Sequence, residues 1–236
     1  MKAFILAGGL GTRLRGRFGE LPKPLAPIGG RPFLVHQLEW LASHGVREAV
    51  LCVGHGSEQV LEQLGANAGG VALAYSIERE PLGTGGALAL ARPHVAGAAL
   101  VLNGDTFAPC DPWQIEQARW QHGAVASLAL FQVPDARARG RVECDDAGRM
   151  IRFVEKDPEW NGAAWVNGGV MACSGALWRE LPEGASSLER DVLPRLAAEG
   201  RLRGERVAGG FWDIGTPEDW ERADRDLGSM RGGPTA

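Results

Sequence analysis

No apolar run in this 236-residue sequence approaches the about 18 residues needed to cross a bilayer, so no membrane-spanning helix is expected. No charged-then-apolar leader precedes the first strand pattern, which argues against export and leaves the cytoplasm as the expected compartment. Cysteine is scarce: Cys52, Cys110, Cys144 and Cys173 stand far apart with no C-x-x-C pair. That spacing speaks against a paired-thiol zinc or redox site and predicts reduced, buried thiols. The five histidines (His36, His44, His55, His94, His122) also lack metal-ligand spacing. A net charge of −4 argues against nucleic acid as the main partner. Repeats and low-complexity tracts are missing as well. What is present is ordinary for a soluble globular chain: 44% hydrophobic and 23% charged residues, enough for a sizeable core. The length fits one large α/β domain or two small ones.

The hydrophobic pattern alternates between short apolar runs and helical spacing, as a βαβ chain should. Strands are expected at 3–7, 49–53, 71–77, 98–102, 124–131, 140–144, 149–154, 165–173, 202–208 and 211–214. Helices are expected at 32–43, 57–64, from the glycines at 83–86 to 91, and at 111–122, 174–181, 188–198 and 217–227. Ser57 and Ser186 or Ser187 are the expected N-caps, and the closing helix is expected to follow Thr216. The first 110 or so residues read as regular βα units and predict a parallel sheet, whereas the later part mixes a hairpin, turning at 145–148, with helices. Open parallel sheets bind ligands at the carboxyl ends of their strands. The glycine loop after the first strand, Gly83–Gly86 and Asp105 all follow strands, and so belong on one rim.

The stretch Phe4-Ile-Leu-Ala-Gly-Gly-Leu-Gly-Thr-Arg-Leu-Arg15 carries three glycines, Gly8, Gly9 and Gly11, directly after the first strand. Such a loop can aim several backbone N–H groups at one anion. From Met1 to Arg31 the cations Lys2, Arg13, Arg15, Arg17, Lys23 and Arg31 face Glu20 alone, a surplus of about five inside an acidic chain. A cationic, glycine-rich turn after a strand reads as a polyphosphate seat. No Gly-Lys-Ser/Thr ends the loop, so it is not a Walker loop; Leu14 stands where a dinucleotide fingerprint needs its third glycine. Pro22-Lys23-Pro24 fixes φ on both sides of a lysine and predicts a stiff, extended segment.

Asp105 ends an apolar strand beside Gly104, and Asp213 sits inside the apolar run Phe211–Ile214. Carboxylates in such places need partners, because an unpaired buried charge is costly. Two of them suit a hard cation such as Mg²⁺, and a buried Asp–Arg pair serves as well.

Leu6-Ala-Gly-Gly-Leu-Gly-Thr-Arg-Leu14 followed by Pro22-Lys23-Pro24-Leu25 resembles the signature of the sugar-1-phosphate nucleotidylyltransferases, the NDP-sugar pyrophosphorylases. Further motifs match in order: Glu78-x-x-Pro81-Leu82-Gly83-Thr84-Gly85-Gly86-Ala87, Leu102–Asp105, Val154-Glu155-Lys156, Asn167-Gly168-Gly169 and Asp213–Pro217. Together they cover residues 4 to 217. The resemblance implies a Rossmann-like three-layer α/β sandwich around a mainly parallel mixed sheet (GT-A-like), with a small hairpin-containing sugar-binding part. It implies one domain over 1–228, with a nucleotide half at 1–110, a sugar half at 111–228 and a flexible tail at 229–236.

It also implies roles. Leu6, Ala7, Gly8, Gly9, Gly11, Thr12 and Arg13 would hold the nucleotide phosphates, and Glu78, Pro81, Gly83, Thr84 and Asn103 the nucleoside. Asp105 and Asp213 would share Mg²⁺. Lys23 would span both reactants, and Gly104, Gly140, Glu155, Lys156, Asn167 and Gly168 would meet the sugar phosphate. Arg13, Lys23 and Asp105 are the expected catalytic residues. Relatives usually carry Arg-Tyr-Gly before the Glu155 strand; Ala138-Arg139-Gly140 departs from this and leaves Arg139 open, to meet either a second anionic group on the substrate or merely solvent. The likeness runs to the compact guanylyltransferases, since the long C-terminal extension of many thymidylyltransferases is missing. This implies GTP and a heptose 1-phosphate as substrates. Mannose, glucose or N-acetylmuramate 1-phosphate with GTP, UTP or TTP is the alternative, and a non-catalytic nucleotide-sugar sensor a remote one. A homodimer is among the assemblies this family allows.

Overall fold

In the computed structural model, residues 1–9 and 11–229 are described; Leu10, the side chains of Thr12 and Arg15, and the expected tail from residue 230 on lie outside the described residues. Four apolar runs make the parallel centre of a mixed sheet. Lys2–Leu6 lies between Ala99–Asn103 and Glu48–Val53, and Val71–Ile77 adds beyond the latter. The sheet turns antiparallel at Ala164–Cys173, which pairs with Ala99–Asn103 on one side and with Ala126–Val133 on the other. Leu202–Arg206 then runs parallel to Ala126–Val133. The expected hairpin, Arg141–Cys144 with Met150–Val154, attaches to the first residues of the long strand, so both halves of the chain share one sheet.

Strand alternation builds the layers. Ala3, Ile5, Leu51, Leu100 and Leu102 face one core, with Leu34, Leu38 and Leu41 of helix Phe33–Ser43 and Trp220, Ala223 and Leu227 of helix Pro217–Gly228. Phe4, Val50, Cys52 and Val101 face the opposite core, against Leu88, Trp178, Leu193 and Leu196. The fold is therefore a three-layer α/β sandwich around a mainly parallel mixed sheet. Its parallel strands end together. Ala7 N donates to Cys52 O (2.8 Å), Gly104 N to Leu6 O (2.9 Å) and Glu78 N to Val53 O (2.9 Å), which ties three post-strand loops along one rim. Gly104 has no room for a side chain there: a Cβ would lie 2.7 Å from Leu6 O.

Several expectations need correction. Lys23–Leu25 is a single 3₁₀ turn, closed by Leu25 N to Pro22 O (2.8 Å) and Ala26 N to Lys23 O (3.0 Å), and not an extended segment. Proline lacks only an N–H that a first helical turn leaves unpaired anyway, so Pro24 fits the turn. Ser57 is the first residue of its helix; left-handed Gly56 caps it, without a side-chain bond. The 174–181 helix shrinks to Leu177–Glu180, and 188–198 starts as a π-helical turn, Leu188–Val192, capped by Ser187. The 211–214 strand shrinks to Trp212–Asp213, paired with Thr106–Phe107. Three cysteines are buried, whereas Cys144 is only half-buried.

One polar side chain inside the first core holds the rim in shape. Gln37 falls on the Leu34/Leu38/Leu41 stripe and is fully buried. Its amide nitrogen donates to Asn103 O (2.9 Å) and Thr106 O (2.7 Å), clamping the turn that carries Asp105 from below. Gln37→Leu strands two buried acceptors at about 1–3 kcal/mol each, partly offset by the added apolar volume and by removal of Gln37 Oε1, which is buried without a partner of its own. Thermal unfolding should show a midpoint lower by roughly 2–8 °C; an unchanged or raised midpoint contradicts the clamp.

Candidate active site

A cavity of about 310 Å³ opens at the carboxyl rim of the parallel strands. Leu6, Ala7, Gly8 and Gly9 line one wall, and Glu78, Pro81, Gly83 and Thr84 the facing one. Asn103, Gly104, Asp105 and Lys23 form its end. Glu78 closes the base of the glycine loop: a Cβ at Gly8 would meet its Oε1 at 2.7 Å, and its Oε2 accepts from Leu82 N (3.2 Å). Burial pushes the Glu78 carboxyl up, opposed by the bond from Leu82. Gly11 takes φ +58°, open to glycine at little cost, and packs on the Lys23 side chain. Gly11 and Arg13 lie beside this cavity and do not line it.

The second glycine loop is committed elsewhere in part. Gly85 N (2.9 Å) and Gly86 N (3.3 Å) both donate to Ser186 O, so these two amides do not face the cavity. Thr84 Oγ1 donates to Glu189 Oε2 (2.6 Å) and accepts from Leu188 N (2.9 Å). The 186–189 segment thus braces the loop, a contact no local pattern announces.

Lys23 Nζ bonds the Asp105 carboxylate, with only 11% of the lysine side chain exposed. Asp213 comes to the same place through backbone pairing: it is opposite Thr106 in the short two-stranded ribbon, and Ile214 N donates to Asp105 O (3.0 Å). Its own carboxylate accepts from Gly215 N and pairs with Arg139 (3.5 Å). The Arg139 guanidinium rests on the Phe211 ring, 4.7 Å from its centroid. Arg13 reaches the same turn, its Nη2 lying 3.3 Å from where a Cβ on Gly215 would stand. Sequence reasoning missed the Arg139–Asp213 pair and the Gln37 clamp. A glutamine on an otherwise apolar helical stripe is the one signal that marks Gln37.

A crevice of about 20 Å³, walled mainly by apolar side chains, shares Asn103 with the cavity, and of the residues expected to meet the sugar only Asn167 reaches it. Asn167, Gly169 and Glu189 line it. Asn167 N donates to Gly140 O (2.9 Å), and a Cβ at Gly140 would stand 3.3 Å from Glu155 Oε2. Gly168 packs on Phe131, and Gly169 packs against Asn103 and Thr106, joining this turn to the Asp105 loop. Lys156 sits apart, 60% exposed, with Glu155 at 3.9 Å.

Among the described residues no group of three or more His, Cys, Asp or Glu is arranged to hold a metal. The two aspartates form a hard-oxygen pair without sulfur or imidazole, which fits Mg²⁺, an ion that takes one or two carboxylates and completes its shell with water and phosphate oxygens. Their protonation is split. Burial raises Asp105, but Lys23 and the Thr106 hydroxyl (3.1 Å) outweigh it and hold the carboxyl below its ordinary value. Asp213 is pushed up, first by burial and then by the Asp105 charge, against Lys23 and Arg139. A raised folded-state value means the folded protein binds this proton more readily than the unfolded chain. Stability therefore falls as pH climbs from the ordinary carboxylate value through the raised one, and stays lower above it. Asp213→Asn in chelator-containing buffer should raise the unfolding midpoint at pH 7, with the gain shrinking as pH drops toward 4; a lowered midpoint at pH 7 contradicts the like-charge placement.

The "Nucleotidyl transferase" family model matches residues 2–229. The D-glycero-alpha-D-manno-heptose 1-phosphate guanylyltransferase of Aneurinibacillus thermoaerophilus is 35% identical over 229 residues, 96% of this chain and 98% of that protein. The mannose-1-phosphate guanylyltransferase catalytic subunit beta of Danio rerio is 36% identical over 226 residues, 93% of this chain. The chain spans only 62% of that relative's length. Among solved structures, HddC from Yersinia pseudotuberculosis complexed with GMP-PN superposes with a TM-score of 0.83 at 30% identity, covering 96% of this chain and 99% of that one. With its sheet, its rim and nearly its whole length accounted for in this way, the chain belongs to the nucleotidyl transferase family.

Proposed function

We propose that this protein transfers a nucleotidyl group from a nucleoside triphosphate to a sugar 1-phosphate, releasing pyrophosphate, with GTP and a heptose 1-phosphate as the first choice. One observation carries the reading: the Lys23–Asp105 pair closes one end of a nucleotide-sized cavity at the strand rim, and backbone pairing holds Asp213 beside it. The guanylyltransferase relatives, and an HddC structure holding a guanine nucleotide analogue, favour GTP over the other triphosphates.

In this reading the triphosphate enters the cavity with its base between the Glu78–Thr84 wall and the rim, and its phosphates on the Gly8–Gly11 loop. Arg13 and the loop amides bind the two terminal phosphates that leave. Glu155, Gly140, Asn167 and Gly168 hold the sugar. An oxygen of the sugar phosphate attacks the α-phosphorus in line; the bond to the bridging oxygen breaks and pyrophosphate carries the electron pair away. A phosphate oxygen is already a competent nucleophile, so no side chain need remove a proton. Catalysis then consists of positioning two anions and neutralising charge. Lys23, released from its pairing with Asp105 or shared with it, sits between the reactants and offsets their repulsion. Asp105 and Asp213 would hold Mg²⁺, which supplies Lewis-acid neutralisation of the phosphates.

A pyrophosphate-release assay with four nucleoside triphosphates and a panel of sugar 1-phosphates tests this. The predicted best pair is GTP with a heptose 1-phosphate, and mannose 1-phosphate is the next to try. Lys23→Ala should lower turnover by about 10²–10³; a loss under about tenfold, or no release with any pair, contradicts the assignment.

A further inference from the structure

The family resemblance gives the sugar phosphate to Lys156, yet Lys156 is 60% exposed and its nearest acidic partner is its own neighbour, Glu155. The structure offers a better-placed cation. Arg139 precedes Gly140, the residue whose carbonyl accepts from Asn167 N (2.9 Å) and whose Cα faces Glu155. Its guanidinium meanwhile pairs with Asp213 at 3.5 Å. Arg139 therefore touches the sugar-side turn through its backbone and the paired aspartates through its side chain. A sugar held at the turn, with its phosphate directed at those aspartates, places that phosphate under this guanidinium.

Building on the proposed function, we infer that Arg139 binds the anomeric phosphate of the sugar 1-phosphate substrate. Three features of the side chain support this. First, only 23% of it is exposed, and the Phe211 face under the guanidinium fixes its direction, so little freedom is lost when an anion arrives. Second, the Asp213 contact is long and uses one of several donors, so the planar fork keeps N–H groups for a phosphate while staying on the carboxylate. Third, the proposed function gives Arg13 to the departing phosphates and leaves Lys23 shared between Asp105 and both reactants, so neither is dedicated to the sugar phosphate. A second phosphate brought to two carboxylates needs further positive charge, and Arg139 is positioned to supply it.

The test compares wild-type full-length protein with Arg139→Gln, Arg139→Lys and Lys156→Ala, reading KM for the sugar 1-phosphate and for GTP separately, at saturating Mg²⁺. Losing a charged phosphate contact should raise KM for the sugar 1-phosphate about 10- to 100-fold in Arg139→Gln, with KM for GTP within about twofold. Arg139→Lys should recover part of the loss, because it restores the charge without the fork. Lys156→Ala should cost less than Arg139→Gln. Calorimetric titration of the sugar 1-phosphate into protein should show the same order of affinities without turnover. Equal shifts for both substrates would mean that Arg139 only steadies Asp213, and would overturn the inference, as would no shift at all. Active wild type with an unaffected Arg139→Gln leaves the proposed function standing; inactive wild type on every sugar 1-phosphate brings down both.

Discussion

Asp105 and Asp213 repel one another, and the chain brings them together through the backbone instead of through any side-chain attraction. The Trp212–Asp213 ribbon pairs with Thr106–Phe107, and Ile214 N donates to Asp105 O. Each carboxylate then meets a different cation, Lys23 on one and Arg139 on the other. Burial first, and then the repulsion left over, hold the Asp213 carboxyl above its ordinary value. A fold that only sought stability would separate these groups or replace one of them. Holding them adjacent favours the binding of something positive, and it stores affinity for a cation that arrives with anionic ligands.

The sheet supplies the rigidity this arrangement needs. Three post-strand loops are hydrogen-bonded along one rim, and Gln37 clamps the Asp105 turn from inside the core. The same turn is pressed by Gly169 from the antiparallel edge, where a methyl group would already stand 3.2 Å from Asn103. The end of the cavity that carries Asp105 is consequently fixed by main-chain contacts, not by flexible side chains. The Ser186–Glu189 segment does the same for the second glycine loop, taking up two of its amides and the Thr84 hydroxyl. Glycine at 83 and 85 is what lets Ser186 approach so closely, and glycine at 86 leaves room for the Gly184 carbonyl.

Much of this was readable before any coordinates. Uninterrupted apolar runs such as Ala98–Leu102 are strands by length and composition, and their shared direction follows from the βα alternation; the rim followed from those two facts. The motifs at Gly8, Glu78, Asp105 and Asp213 stood out because glycine and aspartate are costly in the places they occupy. Unreadable features were those set by a distant partner. Pro22-Lys23-Pro24 looks extended by local sterics, yet packing against Gly11 and the pull of Asp105 on the lysine close it into a turn. Lysine is scarce in the chain, with only Lys2, Lys23 and Lys156. Arg139 could not be assigned because its counter-charge, Asp213, arrives from the far end of the chain.

The central claim is that the two aspartates act as one cation site, and crystals grown with Mn²⁺ and a non-hydrolysable GTP analogue test it most directly. The account predicts an anomalous peak bonded to carboxylate oxygens of both Asp105 and Asp213 and to phosphate oxygens of the nucleotide. A manganese ion on one aspartate alone, with the other still held by its own cation, Lys23 or Arg139, would contradict it.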